Sequence, residues 1–367
     1  MKIECDVLVV GGGPAGLSAA LHLSNKNLST VVIEKEKNCG PKQTKYDITE
    51  GNRIKEVLNK IDIKPNKTSS RSEWISPNNN FIFDSNIEDY YFKRGQSSDS
   101  LEQQLLNKLT QRNVDTYFNS EITSIEKNGQ DVKTIKILAN NRELKIQSKY
   151  IVIADGHSSN FRKLLNIKTN IFSTFIGYGV LVESKIKDII PHSKIYFNKN
   201  FAPGGYVYSG SVGNESFFCV VSDEKISQQS ILKQNLELFL EELTDHKFTE
   251  INIFSGVGES GIQEVVIGNA IFIGGAALFY DPFLGYGLSY SLESAYYAAE
   301  AIEQQNLEIY KKYANEVQEE IKYMQFARDI WRKADNEYFD LLIKAFNGEY
   351  DGKDENIWKI LKLFDEN

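Results

Sequence analysis

Short apolar runs that lead into glycine-rich turns recur three times along the chain. The first run, Val7–Val10, has no polar alternation, which is typical of a strand buried on both faces of a parallel sheet. The turn Gly11–Gly16 follows it at once. Beyond the turn, apolar residues recur with helical spacing at Leu17, Ala20, Leu21 and Leu23. This stretch therefore predicts a strand, a tight turn and a helix in direct succession.

The second and third runs have the same construction. Tyr150–Ala154 ends at Asp155 and Gly156, and Ala270–Ile273 ends at the small-residue turn Gly274–Ala277. Buried strands of this kind associate in one parallel sheet. Because the third run lies so far along the chain, we expect the first domain to be discontinuous, with a long insertion before its last part.

Between the second and third runs, the pattern changes to aromatic strands separated by short turns. Such a succession is typical of an antiparallel sheet. A long amphipathic helix, Ser227–Leu243, is predicted after these strands. The predicted strands are Phe175–Val182, Lys194–Phe197, Tyr206–Tyr208 and Phe217–Val221.

Other segments complete the pattern. Ile48–Ile61 and Leu101–Gln111 carry apolar residues at helical spacing, whereas Asn66–Asp84 is polar and is interpreted as an excursion with one short strand, Asn80–Phe83. Tyr310–Phe364 is charged and helical in pattern, so we expect it to pack as a cap on the core.

The fold class is therefore α/β, with three parts. We expect a discontinuous Rossmann-like domain over residues 1–66, 90–170 and 255–308. An antiparallel-sheet domain is inserted over residues 67–89 and 171–254, and a helical C-terminal segment covers residues 309–367.

The first glycine turn has the spacing G-x-G-x-x-G between a strand and a helix, which is the context that gives this pattern meaning. In such a turn the first glycine allows the sharp bend, the second admits a pyrophosphate and the third allows close packing. A further apolar strand, Thr30–Ile33, ends at Glu34, whose carboxylate is placed to accept hydrogen bonds from ribose hydroxyls. These residues predict a dinucleotide site for either NAD or FAD, at Gly11, Gly13, Pro14, Ala15 and Gly16.

Composition narrows the classes of function. The net charge of −8 gives no basic footprint for nucleic acid, and four scattered histidines argue against a metal site. Three dispersed cysteines fit a reducing compartment. The chain enters its first strand at once and has no long apolar stretch, so a cytoplasmic protein is expected, with association at a membrane surface left open.

Together the three turns resemble the FAD-dependent oxidoreductases of the p-hydroxybenzoate hydroxylase fold, and among these the geranylgeranyl reductases. The resemblance covers nearly the whole chain and implies an FAD-binding first domain and a substrate-binding inserted domain. It implies FAD contacts at Lys35 and Cys39 in the loop after Glu34, at Arg94, at Ile122 beside the adenine, and at the second turn, Asp155 and Gly156. The resemblance also implies FAD contacts at Gly275, beside the ribityl chain, and in a third motif with Asp281, Gly285, Gly287 and Leu288, whose backbone N–H groups would face the flavin.

The chain departs from the family pattern in two motifs. The family has an aspartate where this chain has Gly275, so one carboxylate for the ribityl chain is missing. The family lines its isoprenoid pocket with P-G-G-Y-x-W-x-F-P. This chain has Tyr206 in that motif but Tyr208 in place of the tryptophan, and Gly210-Ser211 in place of the last two residues. The pocket is therefore expected to have a different shape, with Tyr206 and Tyr208 as its substrate contacts.

The resemblance implies a reductase that saturates carbon–carbon double bonds in an isoprenoid or lipid-like substrate. Cys39 and Tyr206 are the candidate catalytic residues beside the flavin, although each can also be explained by structure alone, as a loop thiol and as an aromatic wall. A monooxygenase acting on an apolar or aromatic small molecule and a flavin-binding protein without turnover are the alternatives. The electron donor is open among NAD(P)H, ferredoxin and deazaflavin.

Overall fold

The structure, a computed structural model, describes residues 2–183, 192–223, 227–243 and 249–348. The strands, in chain order, are β1 (Lys2–Val10), β2 (Thr30–Ile33), β3 (Lys45–Glu50), β4 (Lys67–Ile75), β5 (Asn80–Arg94), β6 (Asp115–Tyr117), β7 (Ser120–Asn128), β8 (Asp131–Ala139), β9 (Arg142–Ile153), β10 (Thr169–Glu183), β11 (Ser193–Tyr196), β12 (Tyr206–Val212), β13 (Glu215–Asp223), β14 (Thr249–Gln263), β15 (Val266–Ile267) and β16 (Ala270–Phe272). The helices are α1 (Pro14–Asn25), α2 (Gly51–Ile61), α3 (Leu101–Gln111), α4 (Asn160–Leu164), α5 (Gln229–Leu243), α6 (Leu288–Glu303), α7 (Glu308–Lys333) and α8 (Asn336–Phe346).

The first sheet brings the glycine-rich turns to one edge. Its strand order is β15-β16-β9-β1-β2-β6, and β7 and β8 extend it from β9. The strands from β16 to β6 are parallel, with Val10 in register with both Ile33 and Ile153, and Ile153 in register with Phe272. The turns that follow β1, β2, β9 and β16 therefore lie at the same carboxyl edge, where open α/β sheets bind ligands.

Two helices of small residues pack beside this sheet. α1 and α6 contact each other; alanines are buried on both helices, together with Gly16 on α1 and Ser294 on α6. Small side chains allow two helix backbones to approach closely, which fixes the start of each helix relative to the strand that precedes it. Among the described residues, no helix is both long enough and apolar enough to cross a membrane.

The second sheet has the order β14-β10-β13-β12-β11-β4-β5-β3. Its neighbouring strands β10, β13, β12 and β11 are antiparallel, whereas β11 and β4 are parallel. One of its faces packs against α5. That core contains Val180, Val182, Phe201, Ala202, Val207, Phe218, Val220, Leu232, Leu236 and Phe239. The predicted α/β fold class, with an inserted antiparallel sheet and C-terminal helices, is confirmed.

Two local predictions were wrong, and one strand was missed. The expected helix Ile48–Ile61 begins only at Gly51, because the residues before it belong to β3. The polar excursion Asn66–Asp84 is mostly the hairpin of β4 and β5, and β5 continues to Arg94. β14 was not predicted. Backbone pairing in a sheet holds these strands without requiring an apolar pattern. The end of the predicted C-terminal helix, residues 349–364, lies outside the described residues.

The chain divides into two compact units. Unit 1 comprises Met1–Asn66, Phe92–Phe172 and Gly258–Lys322. Unit 2 comprises Lys67–Tyr91, Ser173–Val257 and Tyr323–Asn367, as far as these segments are described. The three functional domains expected from the sequence stay a prediction.

Candidate functional site

The first turn of unit 1 needs two of its glycines for packing. Gly11 has a φ of +110°, and a Cβ there would lie 2.3 Å from the carbonyl oxygen of Ala154. A Cβ on Gly16 would lie 1.9 Å from the carbonyl oxygen of Gly11. Both distances are far inside van der Waals contact. Gly11 and Gly16 thus allow β1, α1 and the end of β9 to meet.

Gly13 differs from these two glycines. A Cβ on Gly13 would meet no protein atom within 4 Å. Gly13 also precedes α1 as its N-cap and makes no side-chain capping bond, and Pro14 occupies the first helical turn. The first backbone bond of the helix runs from Leu17 N to Gly13 O at 3.0 Å. The N–H groups of Ala15 and Gly16 come before Leu17 N and are therefore not used by the hydrogen bonds of the helix. Together with the positive end of the helix dipole, they suit an anion.

Glu34, at the end of β2, is held against this turn. Its Oε2 accepts a hydrogen bond from Gly12 N at 2.6 Å, and its Oε1 accepts one from Glu36 N at 2.8 Å. The carboxylate is therefore fixed beside the glycines, and carboxylate oxygens can accept further bonds from hydroxyls. Lys35 is exposed, and Ile122 is half-buried on β7.

The second and third turns meet in unit 1. A Cβ on Gly275 would lie 3.3 Å from His157 N and 3.6 Å from Gly156 C. Asp155 Oδ2 accepts a bond from Phe161 N at 3.2 Å, whereas its buried Oδ1 has no hydrogen-bond partner among the described residues. Burial raises the pKa of Asp155 above its ordinary value. A buried oxygen of this kind suits a hydroxyl donor on a ligand.

The loop before α6 closes on Asp281. Asp281 N donates to Tyr286 O at 2.8 Å, Gly285 N donates to Asp281 O at 3.0 Å, and Phe283 N donates to Asp281 Oδ1 at 2.6 Å. Gly285 has a φ of +71°, which favours glycine. Gly287 is the N-cap of α6 without a side-chain bond, and Leu288 begins the helix. A second helix N-terminus is thus presented by a rigid loop.

Cys39 lies beside the first turn. Its side chain is buried, and a Cβ on Gly12 would lie 2.8 Å from the Cys39 Sγ. Burial, with the charges of Glu34 and Glu102, raises the pKa of the thiol to about 12. The thiol is therefore protonated at neutral pH, and the neighbouring carboxylates oppose the loss of its proton.

Arg94 belongs to a chain of alternating charges that the sequence pattern did not reveal. Arg94 Nε donates to Glu102 Oε1 at 2.7 Å, and its Nη1 bonds to Asp47 Oδ2. Asp47 also pairs with Lys45 at 2.9 Å, and the Glu102 side chain is fully buried. Of these four residues only Arg94 was a predicted site residue. The alternation of Lys45 and Asp47 along β3 is the signal that could have indicated the others, but this stretch was interpreted as loop and helix.

Asp47 gives the fold an acid-sensitive contribution. Burial opposes its charged form, but Lys45 and Arg94 outweigh burial and lower the pKa from 3.8 to about 2. The lowered pKa of Asp47 contributes roughly 2 kcal/mol to the free energy of unfolding. This contribution is fully present above about pH 4 and is lost as the pH falls towards 2. We expect Asp47→Asn to be less stable by about that amount at neutral pH. Urea unfolding at several pH values should show the difference from wild type shrinking towards about pH 2.

Asp62→Asn is the matched control, because Asp62 pairs with Lys108 at the surface and its side chain is 76% exposed. Its effect at neutral pH should be much smaller. A constant difference between Asp47→Asn and wild type down to the lowest pH would contradict the assignment of this contribution to Asp47.

Tyr206 and Tyr208 belong to unit 2, on β12. Tyr206 is buried and packs edge to face against Phe197, with ring centroids 6.4 Å apart. Tyr208 is half-buried, with its ring 6.3 Å from Tyr206 and 6.0 Å from Phe217. The two tyrosines therefore belong to one row of aromatic rings on the face of the sheet opposite Val207.

Unit 1 thus has the features of a dinucleotide-binding flavoprotein. The space over Gly13 and the start of α1 suit phosphates, Glu34 suits ribose hydroxyls, and the unpartnered Asp155 Oδ1 suits a further hydroxyl. The model of the FAD binding domain family matches residues 4–306. The chain belongs to this family, and FAD is its cofactor.

Curated relatives and solved structures agree with this assignment. The digeranylgeranylglycerophospholipid reductase of Thermoplasma volcanium is 26% identical over 80% of this chain and 77% of its own length. One from Methanococcoides burtonii is 28% identical over 85% of this chain and 79% of its own. A geranylgeranyl bacteriochlorophyll reductase-like protein of Thermoplasma acidophilum matches with a TM-score of 0.80 and 21% identity over 94% of this chain and 92% of its own. The resemblance to geranylgeranyl reductases is confirmed, and the chain is an FAD-dependent oxidoreductase.

Proposed function

We propose that this protein saturates carbon–carbon double bonds of an isoprenoid lipid, such as a digeranylgeranylglycerophospholipid. The observation that carries the proposal is that relatives matching about four fifths of the chain are named as reductases of this lipid. Further support comes from the three glycine-rich turns, which follow β1, β9 and β16 at the same edge of the first sheet. Tyr208 is the half-buried member of the aromatic row, and its ring would offer isoprenoid chains an apolar contact.

The FAD would be held in unit 1 by the predicted site residues. The start of α1, with Gly13, Ala15 and Gly16, would bind the pyrophosphate, while Glu34 binds the adenosine ribose. Asp155 Oδ1 would accept a ribityl hydroxyl. The N-terminus of α6 at Gly287 would stabilise negative charge on the flavin.

When bound and reduced, FAD would supply a hydride, and the protein would supply orientation and a proton. Gly285, Gly287 and Leu288 hold the backbone N–H groups in one place, because Asp281 closes their loop with three hydrogen bonds. Preorganised donors of this kind cost no rearrangement when charge develops. Arg94, with its partners Asp47 and Glu102, fixes the start of α3 to β3.

The test is anaerobic reoxidation of the photoreduced protein, which removes the electron donor from the experiment. We expect a digeranylgeranyl lipid to restore the oxidised flavin spectrum without oxygen, and the fully saturated lipid, as the matched control, to leave the flavin reduced. A p-nitrophenol 4-monooxygenase of Pseudomonas putida shares the fold, with a TM-score of 0.76 and 17% identity over 99% of this chain and 97% of its own. Reoxidation only when oxygen is admitted, and faster with substrate, would contradict the reductase and favour a monooxygenase.

A further inference from the structure

Tyr280 is held at the base of the loop that precedes α6, in a way that fixes its phenol. A Cβ on Gly287 would lie 2.1 Å from Tyr280 Cε2, and a Cβ on Gly258 would lie 2.7 Å from Tyr280 Cε1. These two ring carbons flank the carbon that carries the hydroxyl. The hydroxyl end of the ring therefore lies between the backbones of Gly258 and Gly287. A larger residue in place of either glycine would displace the ring.

The backbone around Tyr280 is equally fixed. Tyr280 O accepts a hydrogen bond from Ser260 Oγ at 2.5 Å, and the next residue, Asp281, closes the loop. Leu278 and Phe279 are fully buried, whereas Tyr280 is only half-buried. The side chain is thus anchored on a packed base while part of it reaches the surface of unit 1.

Two positive groups face this phenol. Gly287 is the N-cap of α6, so the hydroxyl end of Tyr280 lies at the positive end of that helix. Lys45 is the other. Burial and the nearby Arg94 oppose its charge, but Asp47, with a smaller contribution from Tyr280, outweighs them, and the pKa of Lys45 lies above its ordinary value. An ammonium that stays protonated and a helix N-terminus both stabilise a phenolate.

We propose that Tyr280 is the proton donor for the double bond that the reduced flavin attacks, and that Lys45 is a positioning residue that stabilises the resulting phenolate. This inference rests on the proposed function. The alkene gains a hydride at one carbon, with both electrons coming from reduced FAD, and it gains the phenolic proton at the other. The π bond, the phenolic O–H bond and the N–H bond that carries the hydride in the reduced flavin would break, two C–H bonds would form, FAD would be left oxidised, and solvent would return a proton to Tyr280.

Tyr280 fits this role better than the two residues that the sequence offered. Cys39 lies against Gly12, and the carboxylates of Glu34 and Glu102 oppose the loss of its proton. Tyr206 is 4% exposed and lies within an aromatic row of unit 2. A general acid needs an environment that stabilises its conjugate base, and Tyr280 has that environment.

Tyr280→Phe tests the proposal, because phenylalanine keeps the ring between Gly258 and Gly287 and removes only the hydroxyl. Anaerobic reoxidation of photoreduced protein by digeranylgeranyl lipid should slow by about a hundredfold or more. The FAD dissociation constant and the rate of reoxidation by oxygen should be unchanged. Tyr323→Phe is the matched control, because Tyr323 is 74% exposed on α7, and this variant should react at the wild-type rate. Cys39→Ala and Tyr206→Phe should each slow the reaction less than Tyr280→Phe does.

The pH profile separates Lys45 from a merely structural residue. The wild-type rate should fall as rising pH ionises the phenol. Lys45→Met removes the ammonium, which raises the pKa of the phenol, so the fall should move to higher pH. An unmoved midpoint in Lys45→Met would contradict the role of Lys45. If wild type saturates double bonds and Tyr280→Phe does so equally fast, the role of Tyr280 is contradicted, but the proposed function is not. If wild type saturates no double bond, the proposed function is contradicted as well.

Discussion

A Gly13→Ala variant should fold as well as wild type and bind FAD more weakly by about tenfold or more. A methyl group on Gly13 meets no protein atom within 4 Å, so the folded protein has room for it. The same space lies at the start of α1, where the pyrophosphate is proposed to approach the backbone. The methyl would keep the phosphates from the helix N–H groups, and charge-assisted hydrogen bonds of this kind contribute about 1.5–3 kcal/mol each.

Gly16→Ala is the matched control within the same turn. Its methyl would lie 1.9 Å from Gly11 O, so the strand and the helix could not keep their present contact. We expect this variant to lose about 1–3 kcal/mol of unfolding free energy without FAD, or to fail to fold. Urea unfolding of the apoprotein and fluorescence titration with FAD measure the two effects. Equal FAD affinity of Gly13→Ala and wild type would contradict the proposed position of the pyrophosphate.

Gly275→Asp should bind FAD more tightly than wild type, by about tenfold or more. The family has a carboxylate at this position, and a charge-assisted bond to a ribityl hydroxyl is worth roughly 1.5–3 kcal/mol. A Cβ at this position would be tight, and the backbone at His157 would have to give by a few tenths of an ångström. Gly275 is partly exposed, its φ is not positive, and the nearest atom to a Cβ would be His157 N at 3.3 Å.

Gly275→Ala and Gly275→Asn complete that experiment. Alanine adds only the Cβ and should leave the FAD affinity close to wild type, while asparagine adds a neutral acceptor and should give a smaller gain than aspartate. Titration of apoprotein with FAD compares all four proteins. An equal gain in FAD affinity with asparagine and with aspartate would show that the charge is not the cause. Weaker FAD binding by Gly275→Asp than by wild type would contradict the site as proposed.

The parts of the fold that could be predicted are those that depend on the pattern of a few neighbouring residues. Val7–Val10 is apolar without alternation and Gly11–Gly16 has fixed spacing, so the strand, the turn and the helix follow from a few residues. The in-register pairing of Val10 with Ile153 explains why two turns so distant in sequence meet. Sheet topology of this kind is common to the fold class, so it could be predicted once the resemblance to the family was identified.

The parts that could not be predicted depend on tertiary pairing. β4 consists largely of polar residues and is a strand because β5 and β11 supply its backbone partners. Arg94 could be identified as a site residue, but its partners Asp47 and Glu102 become neighbours only when β3 and α3 meet. Tyr280 has no sequence signal of its own, because its importance comes from Gly258 and Gly287 on either side of the ring.

The mass of the lipid after anaerobic turnover tests the central claim most directly. Photoreduced protein is mixed with digeranylgeranyl lipid in the absence of oxygen, and the extracted lipid is analysed by mass spectrometry. The reductase predicts a gain of two hydrogens for each double bond saturated, with one flavin reoxidised for each gain. An unchanged lipid, or a lipid that gains oxygen once air is admitted, would contradict the claim.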